Sequence, residues 1–139
     1  MTGTMDDAIR WCLGEPRTWA VVGCSPSPFR DSHGIAALLI REGHRVIPIN
    51  PDADEILGQR AYPTVHDVPD PIDVVDVFRR SDAAGRHVDE AIAVNAGAVW
   101  LQLGVVDHSA AERAAAAGLH VVMDRCPRIE LPRLGARGS

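Results

Sequence analysis

The stretch Trp19-Ala-Val-Val-Gly-Cys-Ser-Pro-Ser-Pro-Phe-Arg-Asp-Ser32 decides the fold. Its apolar, β-type start breaks at Gly23 into a loop of small residues, and Ser32 then opens an amphipathic helix. Strand, loop and helix in that order aim free backbone N–H groups and a helix N-terminus at one point, which suits a phosphate. Outward from this unit one pattern repeats: a helical segment, a glycine, then a β-rich apolar run. Ser32–Glu42 carries Ile35, Leu38 and Leu39 on one face, stops at Gly43 and leads into Arg45-Val-Ile-Pro-Ile-Asn50. Asp82–Ala96 stops at Gly97 before Ala98–Leu103, and Ser109–Ala117 stops at Gly118 before Leu119–Met123. Glycine accepts the left-handed backbone that closes a helix, so each repeat carries a physical stop signal. Ser109 and Glu112 have the spacing of a capping box.

Together with Trp19–Val22 and Asp73–Phe78, these runs make five short strands separated by helices. Val/Ile/Leu-rich runs of that kind are the signature of a parallel sheet covered on both faces. Right-handed crossovers then give an α/β, Rossmann-like, doubly wound sheet of expected strand order 3-2-1-4-5. Thr4–Leu13 reads as a leading helix, Arg125–Leu134 as a segment wrapping back over the domain, and Gly135–Ser139 as a fraying end. The chain reads as one domain over residues 1–139, with its core at about 15–134.

Composition narrows the function. At 46% hydrophobic and 24% charged, the chain has the make-up of a soluble globular protein. Only 4% of residues are aromatic and the net charge is −5, so neither the stacking surface nor the basic footprint of a nucleic-acid binder is present. No run is long and apolar enough to span a bilayer, and the acidic N-terminus is not a secretory signal. The cysteines, Cys12, Cys24 and Cys126, lack metal-type spacing and even number, which points to a reduced, cytoplasmic setting. The six histidines include no i, i+4 pair, so no metal site is expected.

In a doubly wound sheet the ligand crevice lies beyond the carboxyl ends of the strands, where strand order reverses beside the first one. Gly23–Ser32, Asn50-Pro51, Arg79-Arg80, Gly104 and Asp124-Arg125 should converge there. The usual dinucleotide fingerprint is missing: Ser25 and Pro28 stand where its second and third glycines belong, and Asn50 replaces the ribose-binding acid. No Gly-Lys-Ser/Thr follows the loop, which excludes a P-loop.

Five runs in order then carry a resemblance: Gly23-Cys-Ser-Pro with Ser32-His; Val46-Ile-Pro-Ile-Asn-Pro51 with Gly58; Val75-Asp-Val-Phe-Arg79; Trp100-Leu-Gln-Leu-Gly104; and Met123-Asp-Arg-Cys-Pro127. From about Thr18 to Leu134 the chain resembles the small, stand-alone coenzyme A-binding domain proteins. These are similar to the N-terminal domain of the succinyl-CoA synthetase α subunit. The resemblance implies that coenzyme A or an acyl-CoA is the bound cofactor. It implies Gly23, Cys24 and Ser25 as the phosphate-facing loop, with Ser32 at the head of the next helix. Asn50 and Pro51 would border the adenosine portion; Phe78 and Arg79, with Leu103 and Gly104, would line the other wall. The tail departs from the pattern, lacking the expected histidine after Glu130.

The chemistry agrees with that ligand. Loop amides and a helix N-terminus can take the pyrophosphate, and an arginine can clamp the ribose 3′-phosphate bidentately. Arg79 and Arg80 are best placed for this, with Arg30 as the loop alternative. His33 is the histidine nearest the crevice. Against these readings stand plainer ones: Ser32 as an N-cap, Cys24 as a small buried residue, one arginine as merely solvated, Gly104 as a turn, and Asp73 and Asp76 as capping or solvated groups. No Ser/His/Asp or Cys/His set stands on the rim, so the expectation is a binding protein without catalysis. The enzyme alternative is a small nucleotide-dependent oxidoreductase, or a redox enzyme using Cys24. A regulatory subunit serving an acyltransferase or ligase is the third reading.

Overall fold

The computed structural model describes residues 4–138. The elements run α1 (Met5–Leu13), β1 (Thr18–Val22), α2 (Asp31–Arg41), β2 (Arg45–Ile49), β3 (Glu55–Ile56), β4 (Gln59–Arg60), a 3-10 turn (Val65–Asp67), β5 (Val74–Val77), α3 (Ser81–Ala93), β6 (Ala98–Gln102), α4 (His108–Ala116), β7 (His120–Arg125) and α5 (Pro127–Gly138). Five long strands form a parallel sheet in the order β2-β1-β5-β6-β7.

The expected 3-2-1-4-5 pattern is present with its third position reduced to a remnant. Outside β2, Tyr62 bridges in parallel to Ile49, with Asn50 N–H donating to the Tyr62 carbonyl and Tyr62 N–H to that of Pro48. The hairpin β3–β4 leads into that remnant. Val74–Val77, third among the long strands in sequence, therefore lies beside β1 and not outside β2. Strand order thus reverses between β1 and β5, which brings Gly23 and Phe78 together.

Both sheet faces are buried, as the unbroken apolar runs require. Ala20, Val22, Ile47, Ile49, Val75, Val77, Val99 and Leu101 face α3 and α4 through Ala84, Val88, Ala91, Ala110 and Ala114. Trp19, Val21, Val46, Val74, Ala98, Trp100 and Val122 face α1 and α2, through residues such as Ile9, Cys12, Ile35 and Leu39. Helix α5 packs against α1 and α2. The tail expected to wrap over the domain does so as a helix, despite Pro132 within it.

Several helix ends differ from expectation. Thr4 caps α1 in a full capping box with Asp7. At α4, Asp107 is the cap, accepting from Ala110 N–H, whereas Ser109 accepts from Arg113 and makes no box with Glu112. Asp107 precedes the first helical residue, where a carboxylate reaches the orphan amide three residues on, whereas Ser109 already lies inside the helix. Gly43 and Gly118 do close α2 and α4 at positive φ, but α3 ends at Asn95, not Gly97. Asn tolerates the left-handed region almost as glycine does.

Candidate ligand-binding site

At the carboxyl edge of the sheet, Gly23 turns the chain out of β1 at φ +81°. A methyl group there would sit 2.7 Å from the Phe78 carbonyl oxygen, so only glycine lets the two strand ends approach. The next residues build a loop held by its own hydroxyls. Ser32 Oγ accepts from Ser25 N–H at 2.9 Å, Ser25 Oγ from Ser27 N–H, and Asn50 Nδ2 donates to the Cys24 carbonyl at 2.9 Å.

Ser32 does not open its helix. Arg30 is the N-cap residue and provides no side-chain cap, which leaves the first-turn amides of α2 without one. Ser32, buried at the second helical position, instead ties the loop to the helix. The amide of Ser25 is thereby committed to protein, and the uncapped donors beside the loop are those of the helix turn.

Three contiguous cavities surround this loop. A cleft of about 450 Å³ is lined by Gly23, Ser25, Asn50, Pro51, Arg79 and the α3 face. A shallower groove over the start of α2 is lined by Gly23, Ser25, Phe29, Arg30, Asp31, Ser32 and Phe78. A third, of about 290 Å³, lies between α2, the end of β6 and the start of α5, with Phe78, Arg79, Leu103 and Cys126 on its wall. The first two share Gly23 and Ser25, and Arg79 borders both the first and third.

Most of the residues singled out from the sequence therefore meet: Gly23, Ser25, Arg30, Ser32, Asn50, Pro51, Phe78, Arg79 and Leu103. The others do not line these cavities. The Cys24 side chain is fully buried in the core, and burial pushes its thiol up to about 12. A redox role for it has no thiol on the cleft. Arg80 points away and pairs with Asp82 at 3.4 Å. His33 is half-buried on α2, outside the three cavities. Gly104 serves the turn after β6, its N–H donating to Asp124 Oδ1 at 2.7 Å.

The sequence reading missed the α3 side of the cleft. Arg86, His87 and Glu90 line it, with Asp52, Pro63 and Thr64 opposite. His87 Nδ1 lies 2.7 Å from Glu90 Oε1, while its Nε2 is buried with no partner among the described residues. The signal was available: positions 86, 87 and 90 form one polar stripe beside the apolar stripe 84, 88 and 91. Asp52 restores a carboxylate to the end of β2, two residues beyond Asn50, its own N–H bonded to Asn50 Oδ1. Asp76, expected to be a capping or solvated group, is instead wholly buried in β5 with neither oxygen hydrogen-bonded among the described residues.

Among the described residues, no helix is long and apolar enough to cross a membrane, and no group of three or more His, Cys, Asp or Glu is arranged to hold a metal ion.

The arrangement has relatives. The chain is 35% identical over 121 residues to the protein YneT of Bacillus subtilis (strain 168), covering 87% of this chain and 90% of that one. A solved protein of Pyrococcus horikoshii OT3 superposes with a TM-score of 0.88 at 38% identity, covering 96% of this chain and 94% of that one. The dinucleotide-forming acetyl-coenzyme A synthetase 1 of Ca. Korarchaeum cryptofilum contains a similar fold, with a TM-score of 0.71 at 27% identity. That match covers 84% of this chain but 28% of the synthetase. The model of the CoA binding domain matches residues 17–132, and the chain belongs to that family.

Proposed function

We propose that this chain binds coenzyme A, free or acylated, across the three cavities and acts as a binding module without catalysis of its own. The observation that carries the reading is their meeting at Gly23, Phe78 and Arg79 beside the uncapped start of α2. Coenzyme A has three chemically distinct parts, and each has a matching wall. The pyrophosphate suits the helix turn and the glycine loop, where fixed N–H dipoles favour negative charge. The adenosine 3′-phosphate suits the cleft beside α3, where Arg79 and Arg86 supply cations. Asp52 can accept from ribose or adenine N–H and O–H groups. The uncharged pantetheine arm suits the third cavity, whose wall includes Ile35, Phe78, Leu103 and Val105. A module of this kind would present its ligand to a separate acyltransferase or ligase, and its three unpaired cysteines fit a reducing, cytoplasmic setting.

The test is a thermal-shift and calorimetric titration with coenzyme A, dephospho-coenzyme A, NAD and NADP. Coenzyme A at a hundred times its Kd should add about 2.7 kcal/mol of stability. Arg79→Ala and Arg86→Ala should each weaken coenzyme A by about tenfold to a hundredfold, the worth of one charged hydrogen bond, and affect dephospho-coenzyme A less. Stabilisation by NAD or NADP alone would overturn the reading in favour of an oxidoreductase. No stabilisation by any of them would leave a family fold without a working site.

A further inference from the structure

The third cavity holds a thiol. Cys126, half-buried, stands at the junction of β7 and α5 and forms part of the cavity wall. The other two cysteines cannot serve there: Cys12 and Cys24 are fully buried, and burial raises both thiols. Cys126 is also held in place. Its carbonyl accepts from the N–H groups of Ile129 and Glu130 in the first turn of α5, and the Arg125 carbonyl accepts from Trp100 Nε1 at 3.0 Å.

A second observation points to what enters. Gln102, 6% exposed, lies on the same wall, and its Oε1 has no hydrogen-bond partner among the described residues. Leaving a buried amide oxygen unpaired is unfavourable, so this position favours an incoming N–H donor. Gln102 closes β6 at the bulge where it registers with Arg125, the residue before Cys126. Around it Ile35, Phe78, Leu103 and Val105 form an apolar stretch of wall, with Asp31, Arg79 and Arg128 charged on the rest of it. The guest that fits the stretch between Gln102 and Cys126 is a slender chain carrying amide N–H groups and ending in sulfur.

We infer that Cys126 is a thiol–disulfide exchange site for pantetheine-type disulfides, above all a disulfide of coenzyme A. The inference rests on the coenzyme A reading of the cleft. The Cys126 thiol loses its proton and its sulfur attacks the coenzyme A sulfur of the incoming disulfide. The bond between that sulfur and the leaving thiolate breaks, and the Cys126–coenzyme A disulfide forms. The departing thiolate takes up a proton, so thiol and disulfide numbers are conserved and no further oxidant is needed. A reducing thiol reverses the step, making the modification a reversible record of the coenzyme A redox state.

The experiment treats reduced full-length protein with coenzyme A disulfide and, separately, with glutathione disulfide, and follows adducts by non-reducing intact-mass spectrometry with peptide mapping. One coenzyme A adduct at Cys126 is expected, absent from Cys126→Ser. It should form at least about tenfold faster than the glutathione adduct, the signature of binding before exchange. Adenosine 3′,5′-bisphosphate, which lacks the thiol arm, should slow the first reaction and not the second. Gln102→Leu should likewise slow only the first. Equal rates with both disulfides would overturn the inference by making Cys126 an ordinary accessible thiol, and mapping to another cysteine would overturn it as well. Absence of adduct in a protein stabilised by coenzyme A would sink the exchange site alone, whereas absence of both adduct and stabilisation would sink the binding reading beneath it.

Discussion

Asp76 gives the sharpest test of the physical reasoning, because it breaks an otherwise apolar strand. It lies in register between Val21 of β1 and Trp100 of β6, fully buried, with neither carboxyl oxygen hydrogen-bonded among the described residues. Burial holds its pKa well above the usual 3.8, so the folded protein keeps it protonated to a higher pH than the unfolded chain does. In the unfolded chain it ionises near 3.8. Between that value and the raised folded one, the folded state holds one more proton than the unfolded state. Stability must therefore fall as pH rises through the window, by about 1.4 kcal/mol per pH unit, and level off above the folded value. Asp76→Asn removes the titration, so its stability relative to the wild type should climb with that slope. Asp76→Val also removes two unpartnered oxygens and matches the neighbouring Val74, Val75 and Val77. It should gain about 1–3 kcal/mol even at the acid end, and more at neutral pH. Urea unfolding from about pH 5 to about pH 8 measures all three proteins. If Asp76→Asn runs parallel to the wild type, or Asp76→Val is the less stable, the carboxyl is ionised or partnered in the folded state and the argument fails.

Other substitutions probe the loop and the opposite pH dependence. Gly23→Ala forces a methyl against the Phe78 carbonyl at φ +81° and should cost at least about 1–3 kcal/mol, read by urea unfolding, with coenzyme A affinity falling alongside. Ser32→Ala removes the acceptor of Ser25 N–H and should cost about 1 kcal/mol of stability; calorimetry should show a larger entropic penalty for ligand binding as the loop loosens. His44 is buried, with Nδ1 accepting from Arg17 N–H, and burial lowers its pKa below 6.5. Its stabilisation is complete above 6.5 and is lost as pH falls through that value toward the folded one, so His44→Gln should flatten the acid limb of the stability curve.

The fold was legible because each repeat carries its own punctuation. Continuous apolar strands could be satisfied only by helices on both faces, and the glycines at 43 and 118 mark two helix stops directly. What escaped was decided by competition between near-equal local choices. Asp107 outcompeted the Ser109–Glu112 pairing for the α4 cap, and Asn95 took the left-handed position before Gly97 could. The strand order needed a feature no periodicity displays: a third strand reduced to one bridge at Tyr62, which leaves Val74–Val77 free to pair with β1.

The site was legible only where position follows from topology. Gly23, Asn50, Phe78 and Arg79 end neighbouring strands, so any correct sheet gathers them. Residues one helical turn further on obey side-chain direction, which the sequence does not print. Arg79 lines the cleft while Arg80 turns out to Asp82; Ser25 lines it while Cys24, one residue earlier, fills the core. The same alternation hides chemistry as readily as it reveals it. Cys24, conspicuous beside the loop glycine, is sealed off, whereas Cys126, at the far end of the chain, reaches the cavity because α5 folds back over α2. A crevice assembled from strand ends is thus fixed early by the order of the sheet, but which thiol reaches it is decided by the late-sequence element that closes over it.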